Sequence, residues 1–583
     1  MSSLPPGPPP SSPPPSSQPP GAEVLERGAG GPIPPHDRAT AGGGRRKWWL
    51  AGGAVVGLGA VGGAAFGAWW YLSTGPQPAE ALPAGTIGYA SIDLDPSGEQ
   101  KLDALRTLRK FPAIDQELDL SGDVSEIDIK ERVIGEALES APCEIDYDEV
   151  IGSWLGDRAA VAAVDLGEEM PEPVFVVQVT DADAAEDGIE EIFACGETEE
   201  SEMPGLEIVG DWLVLAETQS AVDDVVAETE DGSLADDETF REWVDAAGDP
   251  GVVTLYAAPE AGAFLGDSLG GMFFPGHSYA YSESSSMPAM PAVPVEPSAS
   301  AGGDVIFEED DPFEQELEPE VPDEMSEALE NFEGAAVTIR FDGGSVEVEV
   351  AGDPGLSGES FYAGDGGADA LATLPADTAA AVGIGFAEGW FDELMATASS
   401  SVGEDAETLL EELEEETGMS LPEDAETLAG DSAVLSIGGD FDADTFADSE
   451  DGTDVPVALK VLGDTGAIEE VLDQIRAGVG SDQPVLDSTS EGDAVAIGPH
   501  EEYRDRVLED GDLGDEASYR DVVPEKDAAA VLYVDVARVV ELVEGTMGPD
   551  DEIAANLAPL VALGMSAWED DGVAHSLLRI STD

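Results

Sequence analysis

Four stretches of this chain carry residue types at a spacing that chemistry would use. Gly266-Asp267-Ser268-Leu269-Gly270 fits both GxSxG and the GDSL spelling of a serine esterase loop. A nucleophilic serine needs a sharp strand-to-helix turn, a histidine base and an oxyanion hole. Here the string borders a low-complexity segment, and the nearest approach to a later DxxH, Asp571 to His575, has one residue too many. A glycine- and serine-rich loop is the favoured reading. Asp440, Asp442 and Asp444 make the D-x-D-x-D opening of a calcium loop, but position six is Thr445 where an EF-hand requires glycine, and position twelve is Asp451 where it requires glutamate. The three aspartates therefore stand as weak metal candidates, with a solvated turn favoured. Cys143 and Cys195 are the only two cysteines; an even count in an oxidising compartment lets them pair, and two separate buried thiols are the alternative. Gly57-Leu58-Gly59-Ala60-Val61-Gly62 spells GxGxxG without the strand and βαβ unit that dinucleotide binding demands. No catalytic residue and no cofactor is assigned.

The element that places everything else is residues 45–72, RRKWWLAGGAVVGLGAVGGAAFGAWWYL. Three cations precede a long uncharged stretch, enough helix to cross the roughly 30 Å hydrocarbon core of a bilayer. Trp48, Trp49, Trp69, Trp70 and Tyr71 sit where interfacial aromatic belts form, and Arg45, Arg46 and Lys47 point to a cytoplasmic amino terminus. The expectation is a single uncleaved membrane helix over 48–72, because the apolar run is longer than a signal-peptide core. It comes after a disordered, proline-rich cytoplasmic tail over 1–47, and a linker over 73–81 leads to an exterior remainder. GxxxG pairs such as Gly53/Gly57 offer a surface for a homodimer through the membrane.

Charge bounds the partners. The chain carries −105 overall. Five cations and three carboxylates before the apolar stretch give +2 there, which leaves −107 on the residues beyond it. Such a surface disfavours nucleic acid and anionic membranes and favours cations or basic partners; an acidic coat adapted to salt is the plainest reading.

Beyond residue 81, short strands alternate with helices. Strands are expected at 86–94, 159–166 and 173–179, helices at 99–111, 181–193 and 239–247, and a hairpin about Gly210-Asp211. Interleaved hairpins and helices predict an α+β fold with a largely antiparallel sheet. The order then recurs: Leu82-Pro83-Ala84 returns as Leu374-Pro375-Ala376, Gly156-Asp157 as Gly430-Asp431, and Thr239-Phe240-Arg241-Glu242 as Ser518-Tyr519-Arg520-Asp521. The recurrence implies two tandem homologous units, 82–355 and 370–583, the first interrupted by an acidic low-complexity insert over 263–327.

Residues 82–112, Gly152-Ser153-Trp154-Leu155-Gly156-Asp157 and Leu206 to Glu217 resemble actinobacterial membrane-anchored proteins of the uncharacterised domain of unknown function 3352 family. The resemblance implies an envelope location and supplies no activity. The expected function is a single-pass plasma-membrane protein with a non-enzymatic exterior module, binding an envelope protein or polymer. Two rival readings are an envelope hydrolase using Ser268 or carboxylates, and a sensor that couples exterior binding to the tail.

Overall fold

The computed structural model describes residues 77–93, 99–117, 120, 129–139, 145–168, 170–195, 203–264, 329–357, 366–387, 389–392, 394–395, 410, 414, 418–440, 449, 452–479, 483–509, 511–540 and 551–583. The proline-rich tail, the apolar stretch 48–72, Ser268, nearly all of the insert, Asp442, Asp444, Cys143 and the side chain of Cys195 lie outside them. Among the described residues no helix is long and apolar enough to cross a membrane.

Among the described residues sixteen strands form one sheet in which every ladder is antiparallel. In the first half these are β1 Thr86–Asp93, β2 Leu155–Val164, β3 Glu172–Val179, β4 Gly205–Val209, β5 Trp212–Ala216, β6 Val253–Ala257, β7 Ala335–Asp342 and β8 Ser345–Gly352. The second half supplies β9 Thr378–Gly385, β10 Ser432–Gly438, β11 Val457–Leu462, β12 Ser488–Glu491, β13 Ala494–Ile497, β14 Ala530–Asp535, β15 Leu560–Asp570 and β16 Val573–Thr582. The spatial order is β4-β5-β3-β2-β1-β6-β7-β8 in one half and β12-β13-β11-β10-β9-β14-β15-β16 in the other, the same path taken twice. β8 and β16 join the halves edge to edge, from Ser345 opposite Ser581 to Gly352 opposite Ala574. Each half thereby covers the strand edge that the other would leave unpaired.

Short-range chemistry explains why the recurring strings recur. Thr86 Oγ1 donates to the Pro83 carbonyl at 2.7 Å, and Thr378 Oγ1 donates to that of Pro375 at 2.7 Å. The Leu82 carbonyl accepts from Leu234 N and the Leu374 carbonyl from Leu513 N, so each LPA string is tied to a later turn. Asp181 opens helix Ala182–Cys195 by accepting from Ala184 N, and Asp464 opens helix Thr465–Val479 by accepting from Gly466 N and Ala467 N. Gly156 starts β2 where a Cβ would stand 2.7 Å from the Gln178 side chain, and Gly430 stands before β10 where a Cβ would collide with the Leu462 carbonyl. The hairpin about Gly210-Asp211 forms as the alternation predicts, with Gly210 at φ +64.

One face of the sheet is buried under helices in both halves. Val222, Val225, Phe240 and Trp243, from helices Gln219–Asp231 and Glu238–Ala246, pack on Tyr89, Ala162, Val176 and Tyr256. Leu371, Tyr503, Val507, Tyr519 and Val522 pack in the same way on Ala381, Val434, Val531 and Tyr533. The opposite face is covered at its flanks, by Ala185 and Ile189 on Val179 and Leu213, and by Ile468 and Leu472 on Val461 and Val495.

Candidate functional site

The sequence candidates are not brought together. Asp440 is the one described member of its acidic triplet, and its Oδ2 lies 3.1 Å from Arg506 Nη1; the same guanidinium also binds Asp377. Asp440 is thus held by a cation. Among the described residues no group of three or more His, Cys, Asp or Glu is gathered as a metal site. Of the described histidines, His500 caps helix Glu501–Leu508 by accepting from Tyr503 N at its Nδ1, and His575 stacks on Trp568 with rings 4° from parallel. Burial lowers the His575 imidazole pKa, while the carboxylates of Glu349, Asp570 and Glu525 pull the other way.

Two surfaces that sequence reasoning passed over stand out instead. The first is the middle of the sheet's less covered face. Reading the registers across the strands, Ala159, Ile92, Val253, Ile339, Val348, Leu578, Met565, Leu532, Val382 and Leu435 fall on one continuous row. Val161, Ala90, Leu255, Val337 and Val350 lie on the next row of the same face. Leu435 is 50% exposed, Met565 42%, Val382 40%, and Val161 and Leu255 37%. The remaining members of both rows are partly exposed. Apolar side chains collected at this scale mark interaction sites on soluble surfaces. The signal in the sequence was strands such as AAVAAV in β2, apolar on both faces, which reads as fully buried sheet.

The second surface lies at the join of the halves. On the helix-covered face Arg340 Nε meets Glu347 Oε2 at 2.5 Å, Arg340 Nη2 binds Glu349, and Arg579 Nε lies 2.8 Å from Glu347 Oε1 as an ion pair. Arg579 also reaches Asp342 at 3.4 Å, so three neighbouring strands are tied by charge. Burial pulls the Arg340 pKa down, but its hydrogen bond to Glu349 and the charge of Glu347 outweigh this, and the net shift is upward. At the end of the same strands a cleft of about 530 Å³ opens between helix Glu99–Leu108, the residues just after it and the Gly343-Gly344 turn of the β7–β8 hairpin. Asp103, Arg106, Thr107, Arg109 and Lys110 line it. Lys110 Nζ donates to Thr582 Oγ1 at 2.8 Å, and Thr582 Oγ1 donates to the Gly344 carbonyl at 2.7 Å, so the cleft touches both halves. The available signal was RTLRK, three cations in five residues of a chain with 22 lysines and arginines in 583.

No protein-family model, no curated protein and no solved structure matches the chain.

Proposed function

We propose that the chain is a single-pass envelope protein, anchored by residues 48–72 with its amino terminus in the cytoplasm, whose exterior α+β region is a non-enzymatic binding module. The exterior region reads as two tandem homologous units, supported by the strand path taken twice and by the paired Thr86–Pro83 and Thr378–Pro375 contacts. The resemblance of residues 82–112 to the domain of unknown function 3352 family supports the envelope placement.

The half-exposed apolar face of the sheet carries the binding reading. Its row from Ala159 to Leu435 runs through both halves without a charged side chain. The occupant this face fits is a protein that offers an apolar patch inside a basic rim. Burial of the apolar row supplies the affinity, and the strongly acidic surroundings select the sign of the rim. An anionic polymer would meet long-range repulsion from the same charge.

Photo-crosslinking in intact cells tests this, with a benzophenone amino acid placed at Leu435 or Met565 and, as a control, at exposed Asp521. A discrete protein adduct is expected from both face positions, absent from the control and abolished by Leu255→Asp. Adducts to glycan alone, to a second copy alone, or equally from the control would overturn the proposal.

A further inference from the structure

We propose that the cleft between helix Glu99–Leu108 and the Gly343-Gly344 turn binds a phosphate group. This inference is independent of the apolar face and concerns a different surface. Among the described residues, three cations and one carboxylate line the cleft. In so acidic a chain this local excess of positive charge is a departure, and it persists with Arg106 Nη1 paired to Asp103 at 3.1 Å and Arg109 Nε donating to the Leu120 carbonyl at 2.7 Å. Cations near a helix C-terminus also answer the helix dipole. That role would leave them in solvent, whereas Lys110 is drawn across to the last strand.

A second observation points to a ligand. Thr107 is 1% exposed, lines the cleft, and its Oγ1 has no hydrogen-bond partner among the described residues. A buried hydroxyl left unpaired is costly, and an oxyanion in the cleft would satisfy it. The floor is built to let such a group approach. Gly343 and Gly344 have φ of +59 and +96, and a Cβ at Gly343 would meet nothing within 4 Å. The corresponding hairpin turn of the second half is Asp571-Gly572, so that half places one carboxylate where the first has the bare backbone of Gly343; Asp342 and Asp570 precede the two turns alike.

The donor set favours phosphate over carboxylate. The Arg106 N–H groups not engaged by Asp103, the Lys110 ammonium and the Thr107 hydroxyl outnumber the two oxygens of a carboxylate and match an anion with three or four. The cleft volume is within the range of small-ligand sites, roughly 300–1,000 Å³.

Calorimetric titration of the full-length chain in detergent tests the proposal, at about 0.15 M salt so that the Debye length is near 8 Å and the distant carboxylates are screened. The probes are inorganic phosphate and glycerophosphoglycerol, a phosphodiester. Saturable binding of at least one is expected, weakened about tenfold by Lys110→Gln or Arg106→Gln, the loss of one charge-assisted hydrogen bond. Tighter binding of the diester identifies a polymer or lipid headgroup as the source; tighter binding of inorganic phosphate identifies the free ion. Thr107→Val separates a site from a packing defect. A ligand-binding hydroxyl predicts weaker phosphate affinity at an unchanged or raised Tm, because an isosteric methyl removes an unpaired polar atom. Binding of neither probe, or affinity indifferent to all three substitutions, overturns the inference.

Discussion

Replacing Glu347 by glutamine should loosen the join between the two halves of the sheet while leaving each half intact. Glu347 is 4% exposed and touches two guanidinium groups, one from β7 and one from β16. Removing one partner from a buried ion pair typically costs about 3–5 kcal/mol, since the opposite charge stays buried without compensation. Two features place this case at the low end. Arg340 keeps Glu349, and the glutamine oxygen still accepts one hydrogen bond. Arg579 fares worse, because its remaining partner, Asp342, is 69% exposed and 3.4 Å away. A loss of about 3 kcal/mol corresponds to about a hundredfold rise in the population of the opened join. Hydrogen exchange read by mass spectrometry resolves this by segment. Protection of peptides covering β8 and β16 should fall about a hundredfold, while β2, β3, β10 and β11 remain unchanged. Arg506→Gln, which breaks a half-exposed pair inside the second half, should leave the join as it was. The double replacement Glu347→Leu with Arg579→Leu should restore protection, since it removes both charges and spares the Arg340–Glu349 pair. Exchange of β8 and β16 within about threefold of the wild type in Glu347→Gln would refute the reasoning, because a loss of about 3 kcal/mol cannot hide there.

Two further outcomes come from the packing around this join. His575 has its pKa lowered by burial, so as pH falls below about 6.5 the unfolded chain takes up the proton first and stability is lost down to the native value. His575→Phe keeps a flat ring over Trp568 but cannot titrate, and the drop in Tm between about pH 7.5 and about pH 5.5 should be smaller in it than in the wild type; an equal drop would remove His575 from the acid response. Gly564 lies in β15, where a Cβ would collide with the Val522 carbonyl at the end of helix Ala517–Val522. Backbone cannot yield as a flexible side chain does, so Gly564→Ala should cost about 1–3 kcal/mol, read as a lowered Tm followed by Trp568 fluorescence.

Local chemistry made most elements legible and the joining of the halves illegible. Asp181 and Asp464 announce their helices because a carboxylate that caps free backbone N–H groups acts within three residues. The Gly210 turn and the LPA strings are equally short-range. The pairing of β8 with β16 has no such signature, since it joins strands more than two hundred residues apart whose register is set only when both halves exist. Its residues even read backwards. SVEVEVA alternates like a strand with valines inward and glutamates in water, yet Glu347 is buried beneath the helix-covered face and Val348 and Val350 are partly exposed on the other. Alternation reports which residues share a face but not which face is dry. Arg340 and Arg579 make the inversion tolerable by neutralising the inward glutamates. Val348 is left on the row with Met565 and Val382, and Val350 on the row beside it. Among the described residues the sheet keeps these charges inward on ion pairs and leaves an apolar row half-exposed on the other face, the feature on which the proposed binding module rests. That is why the crosslinking positions at Leu435 and Met565 test the fold and the proposed function together.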